Sequence, residues 1–277
     1  MKRYSYIIIC SILLTAVLSG RKAGAANESV QEVAVMWNKG VVKTTVTDSI
    51  RSDIVLGEKK RLNSLRMLSY RRAQLSAQEL LAREILMIPV DGQMTVDDIM
   101  KKHQYSRQQF AHLLTDRLIT RRYPLDFYMT RCNAYVTFAD IIRVLPYRYP
   151  SRDFPRFDDA AHATVYTSLV VDTRGTEFTP LLMPSIYDEG GLELYGRQYI
   201  DPDKMHDSGL VLYVTSEDEA MNHELAGEHP YYTVALRTLS GSPVISYRDV
   251  RRLFSREDNI DYLKKCRVFF ITDGSTM

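Results

Sequence analysis

The sequence predicts an α+β protein of two subdomains, each a small mixed or antiparallel sheet packed against helices. Three observations carry this. Segments rich in aromatic and β-branched residues alternate with helix-period segments along the chain. Turn sequences such as Asn38-Lys39-Gly40 and Asp188-Glu189-Gly190-Gly191 join neighbouring strand segments as hairpins. Prolines at 146, 150 and 155 interrupt the chain near its middle, where the charge balance also changes.

The elements follow in order. Lys2 and Arg3 precede an apolar run from Ile7 to Leu18, and small residues follow at Ala23-Gly24-Ala25-Ala26. That is the layout of a cleaved secretory signal peptide over residues 1–26, too short for a comfortable membrane span, which needs about 20 apolar residues. Arg21 stands after Leu18-Ser19-Gly20, where a lipoprotein would carry its acylated cysteine. The expectation is therefore export without a lipid anchor. The mature chain then has no integral membrane span.

The N-terminal subdomain, 27–145, opens with a hairpin over Val33 to Thr47 around Trp37. A long helix follows from about Glu58 to Leu86, with Leu62, Leu65, Ser69, Ala73, Ala77 and Leu80 on one side. Its other sides carry Lys59, Lys60, Arg61, Arg66, Arg71, Arg72 and Arg83, a solvated face from which Arg66, Arg71 and Arg72 stand out as a candidate interaction patch. Pro89 and Asp91-Gly92 end that helix, and Thr95-Val96-Asp97-Asp98 is a capping sequence for the next. Ser106 to Thr120 reads as a helix with Phe110, Leu113, Leu114 and Leu118 inward, and Asn133 to Leu145 as a strand. The stretch 146–160 is the expected linker.

In the C-terminal subdomain, 161–277, Val165 to Asp172 has the composition of a buried strand. Leu181 to Tyr187 and Leu192 to Tyr195 flank the Asp-Glu-Gly-Gly turn. Pro180 and Pro184 bracket the first of these and predict an edge strand. Short helices are expected from Asp203 to Tyr213 and from Ser216 to Leu225, with Ser216 and Glu219 as a capping box. Strands at Tyr231 to Leu239 and Val244 to Tyr247, a helix at Arg248 to Phe254 and a last strand at Cys266 to Thr272 complete the pattern.

Charge narrows the function classes. The formal net charge is +2, but residues 27–150 carry 19 basic and 13 acidic side chains, and residues 151–277 carry 13 basic and 21 acidic. The mature chain is thus slightly acidic overall, against a nucleic-acid partner. Opposite halves can attract, within the chain or between copies, so self-association is expected. Cys132 and Cys266 leave two readings open, a disulfide in an oxidising compartment or two buried thiols.

No catalytic constellation emerges. The histidines at 103, 112, 162, 206, 223 and 229 lack a His-Glu-x-x-His spacing, and no serine has a Gly-x-Ser-x-Gly elbow. Asp158, Asp159 and His162 form at most a weak, solvated metal group beside the prolines. Neither a cofactor nor a metal is expected.

One stretch is more specific. Val170-Val171-Asp172-Thr173-Arg174-Gly175, then Pro180 and Pro184, then Asp188-Glu189 through Glu193-Leu194-Tyr195-Gly196, resembles a bacterial envelope family. That family contains small outer-membrane lipoproteins and flagellar basal-body accessory proteins of the FlgP type. The resemblance extends to Arg72-Ala73, to Val90-Asp91-Gly92 with Thr95-Val96, and to Leu263-Lys264-Lys265-Cys266-Arg267-Val268, with departures at Thr173 and Gly190. It implies a periplasmic, non-catalytic structural or assembly protein, peripheral to the outer membrane, whose partners are envelope or flagellar basal-body proteins. The alternative is a ligand-binding or envelope-maintenance protein unrelated to flagella. Within the motif, Asp172 and Arg174 share a strand face, so Arg174 can pair with Asp172 or Glu193, or hold an anionic ligand.

Overall fold

Gly40 sets the first turn of the fold. Its φ of +60° lets a short 3-10 turn at Trp37–Lys39 reverse the chain between β1 (Gln31–Met36) and β2 (Val41–Ser49), the expected hairpin. The computed structural model describes residues 31–50, 59–146, 152–157 and 164–274; the expected signal peptide and the Asp158, Asp159 and His162 group lie outside these residues.

Helix α1 (Lys59–Met87) lies across β2 and β4 (Met129–Thr137). Its small residues explain the close fit: Ser69, Ala73 and Ala77 are fully buried, and Thr44 Oγ1 of β2 donates to the Ala77 carbonyl at 3.0 Å. The stripe then continues through Leu81 and Ile85, both at 0% exposure, while Leu80 is only half-buried. An interval of four residues therefore describes the inward face better than the predicted one.

After α1 come α2 (Val96–Lys102), capped reciprocally by Thr95 and Asp98, and α3 (Arg107–Thr115), capped in the same way by Ser106 and Gln109. The helix predicted to Thr120 stops at Thr115. Ile119–Pro124 is instead a strand, β3, on the edge of an antiparallel sheet ordered β1-β2-β4-β3. The predicted strand to Leu145 likewise ends at Thr137, whose hydroxyl caps α4 (Phe138–Val144) by accepting from the Asp140 amide.

The second half contains a wholly parallel sheet ordered β8-β12-β5-β9, from β5 (Ser168–Asp172), β8 (Leu212–Val214), β9 (Pro230–Val234) and β12 (Val268–Ile271). Every residue of β5 and β12 is buried, as parallel strands covered on both faces require. Val170, Phe269 and Ile271 face α6 (Glu217–Met221), whereas Leu169, Val171, Val268 and Phe270 face the main core. A mixed sheet ordered β10-β11-β6-β7 lies beside it, from β6 (Ile186–Tyr187), β7 (Glu193–Tyr195), β10 (Arg237–Leu239) and β11 (Ser242–Val244). Helices α5 (Pro202–Ser208), α7 (Tyr247–Phe254) and α8 (Glu257–Leu263) complete the half.

The fold is α+β, with antiparallel pairing in the first half and parallel and mixed pairing in the second. One hydrophobic cluster spans both halves. Trp37 packs against Phe138 with its ring tilted, at 4.8 Å, and edge-on to Tyr213 of β8 at 5.5 Å. The described part of the expected linker, 152–157, is held by its rings: Phe154 is buried among Tyr195, Tyr199 and Phe254. Among the described residues, no helix is long and apolar enough to cross a membrane.

Candidate functional site

Asp172 ends β5, and the strands beside it, β9 and β12, run parallel to it. Its Oδ1 accepts from Arg174 Nε at 2.9 Å and from the Arg174 backbone N–H at 3.0 Å. Its Oδ2 accepts from Arg174 Nη2 and, at 2.7 Å, from the Tyr232 hydroxyl of β9. The Arg174 guanidinium holds the Asp172 carboxyl below its usual range, against the opposing effect of burial, with Tyr232 assisting. The same pair pushes the Arg174 guanidinium further up. Of the two partners the sequence allowed, the structure selects Asp172, not Glu193, and the pair is bidentate.

The loop beyond is closed by its neighbours. Thr173 is buried, and its hydroxyl donates to the Ile271 carbonyl of β12 at 2.8 Å. Gly175 has φ +75° with open space around it, so the backbone conformation, not crowding, favours glycine there. Pro180 and Pro184 are buried in an irregular segment, not at the ends of a strand. The predicted strand shortens to Ile186–Tyr187, and β6 lies inside its sheet between β11 and β7. The edge-strand expectation is overturned because the chain from Leu181 bonds elsewhere: the Leu182 and Met183 amides donate to the Pro89 and Val90 carbonyls.

The rest of the motif is spent on geometry in the same way. Asp188 accepts from the Leu192 amide at 2.7 Å and holds the Asp-Glu-Gly-Gly turn, where Gly191 takes φ +85°. Glu189 accepts from the Tyr247 amide at the start of α7. Glu193 Oε1 accepts from Ser185 Oγ at 2.6 Å, and its carbonyl accepts from the Tyr199 hydroxyl. Gly196 lies so close to that pair that a Cβ there would fall 2.2 Å from Glu193 Oε1. Tyr195, at 0% exposure, donates to the Leu210 carbonyl, and burial pushes its hydroxyl well up.

One further group was not legible as a site. Asp91, Gln93, Ser185, Tyr187, Glu193 and Arg197 line a polar cavity of about 190 Å³. Asp91 accepts from the Gln93 and Met94 amides and lies 3.6 Å from the Arg197 guanidinium. Burial, followed by the nearby Glu193 carboxylate, pushes the Tyr187 hydroxyl up. Gly92 brings this loop against the β10–β11 turn: a Cβ on it would sit 1.7 Å from the Ser240 carbonyl oxygen. Asp91-Gly92 and Glu193-Leu194-Tyr195-Gly196 both stand out in the sequence, about 100 residues apart, and the structure places them around one cavity. Chemically the cavity offers two carboxylates, a guanidinium and hydroxyls, a set suited to orienting a small polar group. Among the described residues, no three His, Cys, Asp or Glu side chains are grouped to hold a metal.

The other expected residues are scattered. Cys132 on β4 and Cys266 before β12 are free, buried thiols, so the disulfide reading gives way to the other one. Arg66 donates to the Phe127 carbonyl and lies over its ring, Arg72 pairs with Asp48 at 2.9 Å, and Arg71 is exposed. Of the predicted interaction patch, two members are therefore engaged within the chain.

No curated protein matches this chain. A family model described as the second domain of Treponema pallidum Tp0624 matches residues 168–274. From β5 to the residues just beyond β12 the chain is thus similar to that domain, and the match takes in Asp172, Arg174, Asp188 and Glu193 but not the Asp91-Gly92 loop, which packs against the β10–β11 turn.

Proposed function

We propose that this is an exported, non-catalytic structural or assembly protein of the bacterial cell envelope, periplasmic and working by association. A flagellum-linked role is the specific form suggested by the resemblance. One observation carries the proposal: the polar side chains of the motif are turned on each other and on the backbone. Asp172, Arg174 and Tyr232 bond to one another, Glu193 bonds to Ser185, and Asp188 holds its own turn. A motif that fixes a hairpin and a strand end supports a rigid scaffold more than a reaction centre. The opposite charges of the two halves supply the attraction between copies or partners.

A small polar ligand in the Asp91–Glu193–Arg197 cavity is the second reading. At about 190 Å³ the cavity is below the roughly 300–1,000 Å³ of typical ligand pockets, which favours the first.

Sedimentation across a salt series tests association. The purified protein should self-associate, or retain a component of an envelope extract, more strongly at 0.05 M salt than at 1 M, where the Debye length falls to about 3 Å. Replacing Arg71 and Arg72 together by Ala should weaken this with little loss of stability, because Arg71 is exposed and the Arg72–Asp48 pair is a surface one. A monomer at every salt concentration that retains no partner would overturn the proposal.

A further inference from the structure

The turn between β3 and β4 exposes apolar side chains that its own folding does not require. Asp126 Oδ1 accepts from the Tyr128 and Met129 amides, both at 2.6 Å, and the Leu125 amide donates to the Met129 carbonyl at 2.9 Å. The Ile50 amide in turn donates to the Tyr128 carbonyl, tying the turn to the end of β2. The backbone is thus satisfied by Asp126 and its neighbours, while Leu125, Phe127 and Tyr128 stay 43%, 69% and 42% exposed. Arg66 on α1 reaches the tip, its guanidinium 5.3 Å from the centre of the Phe127 ring.

Cations surround this tip. Arg121 and Arg122 on β3 and Arg131 on β4 are exposed. The N-terminal end of α1 also lies here, because contacts run from Arg66–Phe127 through Ser69–Thr130 to Ala77–Thr44 along the helix. Of the described acids at this end, Asp126 holds the turn and Asp48 pairs with Arg72, while Glu32 lies level with Arg121 but on β1, at the opposite edge of the sheet.

We propose that this end of the molecule docks on an anionic lipid bilayer. The Phe127, Leu125 and Tyr128 side chains enter the headgroup–acyl boundary while Arg121, Arg122 and Arg131 meet lipid phosphates. The chemistry fits. Aromatic rings beside basic side chains are the composition of interfacial anchors, and each cation near an anionic surface adds to the attraction. The tip is a turn of four residues, not a groove, so it suits a deformable surface better than it receives a peptide. Docking rests on no motif residue, and its failure would leave the association proposal standing.

Flotation with vesicles tests it, using protein purified from cells. Binding is expected to vesicles of phosphatidylglycerol and phosphatidylethanolamine, much less to phosphatidylcholine alone, and less at 0.5 M salt than at 0.05 M. Phe127→Ser should weaken binding about tenfold, since most of a phenylalanine's transfer is lost. Arg122→Glu with Arg131→Glu should do at least as much, with the loss concentrated on the anionic vesicles. Both variants replace exposed side chains and should melt with the parent. Absence of binding to anionic vesicles at low salt overturns the proposal, as does equal binding by all three proteins. Retention of an envelope protein through Phe127 without vesicle binding would overturn it too, and assign the tip to a protein partner.

Discussion

The end of β5 and the tip of the β3–β4 hairpin are both strand termini carrying an arginine beside an aromatic residue, yet they use them in opposite ways. At β5, Arg174 and Tyr232 converge on one carboxylate, Asp172, which is only 7% exposed. At the hairpin, Arg66 covers one face of Phe127, which stays 69% exposed. A buried carboxylate is costly unless its oxygens are satisfied, so the first arrangement is demanded by folding. An exposed ring is not demanded by folding, so the second is available for contact with something else. Residue type near a strand end therefore says little about role until the partners of each polar atom are known.

Three experiments bear on this contrast. The largest effect is expected at Gly92, where the motif region meets the N-terminal half. A Cβ would overlap the Ser240 carbonyl carbon and oxygen, backbone atoms that move only with the β10–β11 turn. Gly92→Ala should therefore cost about 3 kcal/mol or more and lower the melting temperature by roughly 6–12 °C. Melting within about two degrees of the parent would show that the two regions are not locked together and would break the contrast between a rigid site and a free tip.

Arg174→Ala comes next. It removes two side-chain bonds to Asp172 but leaves the Tyr232 hydroxyl and the backbone amide in place, and the Arg174 side chain is 41% exposed. A loss of about 1–2 kcal/mol is expected. The loss should depend on pH. In the folded protein the Asp172 carboxyl is held below its usual range, first by the Arg174 guanidinium. Its contribution is therefore fully present above the unfolded value of about 3.9 and lost as pH falls through the lower folded value. Denaturant melts at pH 6 and below pH 4 should show the gap between parent and variant closing in acid. A gap that is constant with pH would mean that Arg174 acts by packing alone.

What could be read from the sequence was what is local. The hairpin around Trp37, the long helix, the Thr95 cap and the Asp-Glu-Gly-Gly turn depend on residues within a few positions of each other, and all are present. The Ser216 cap forms only half of the expected box: its hydroxyl accepts from the Glu219 amide, but Glu219 reaches back to Thr215 instead. Strand β3 was hidden because Ile119–Pro124 is an edge strand exposed on both sides, without alternation. Helix α4 was hidden because Phe138, Ile141 and Ile142 continue the strand-like composition of β4, and only Thr137 with Asp140 marks the change. The parallel sheet has no local signature, since its strands pair across helices. The polar cavity is legible least of all: Asp91 and Arg197 are brought together by tertiary packing alone.

A reducing agent should change stability least, yet the cysteines report on how the two halves are coupled. Each half carries one described cysteine, Cys132 on β4 and Cys266 before β12, and both are free. Reduction should leave the melting temperature unchanged. Burial pushes the Cys132 thiol up, and pushes that of Cys266 up to about 12, with the Tyr195 hydroxyl opposing slightly. Alkylation requires the thiolate, so at pH 8 both should resist iodoacetamide in the native protein and react only on opening. Because one hydrophobic cluster contains both cysteines along with Trp37 and Phe270, the two should become reactive together as denaturant rises. The Phe127→Ser variant should leave that profile unchanged, since the exposed tip takes no part in the cluster. Mass spectrometry of the alkylated peptides reads each site separately. Labelling of Cys132 well before Cys266 would mean that the antiparallel half opens on its own, and that the contacts of Trp37 with Tyr213 and of Gly92 with Ser240 do not couple it to the parallel sheet.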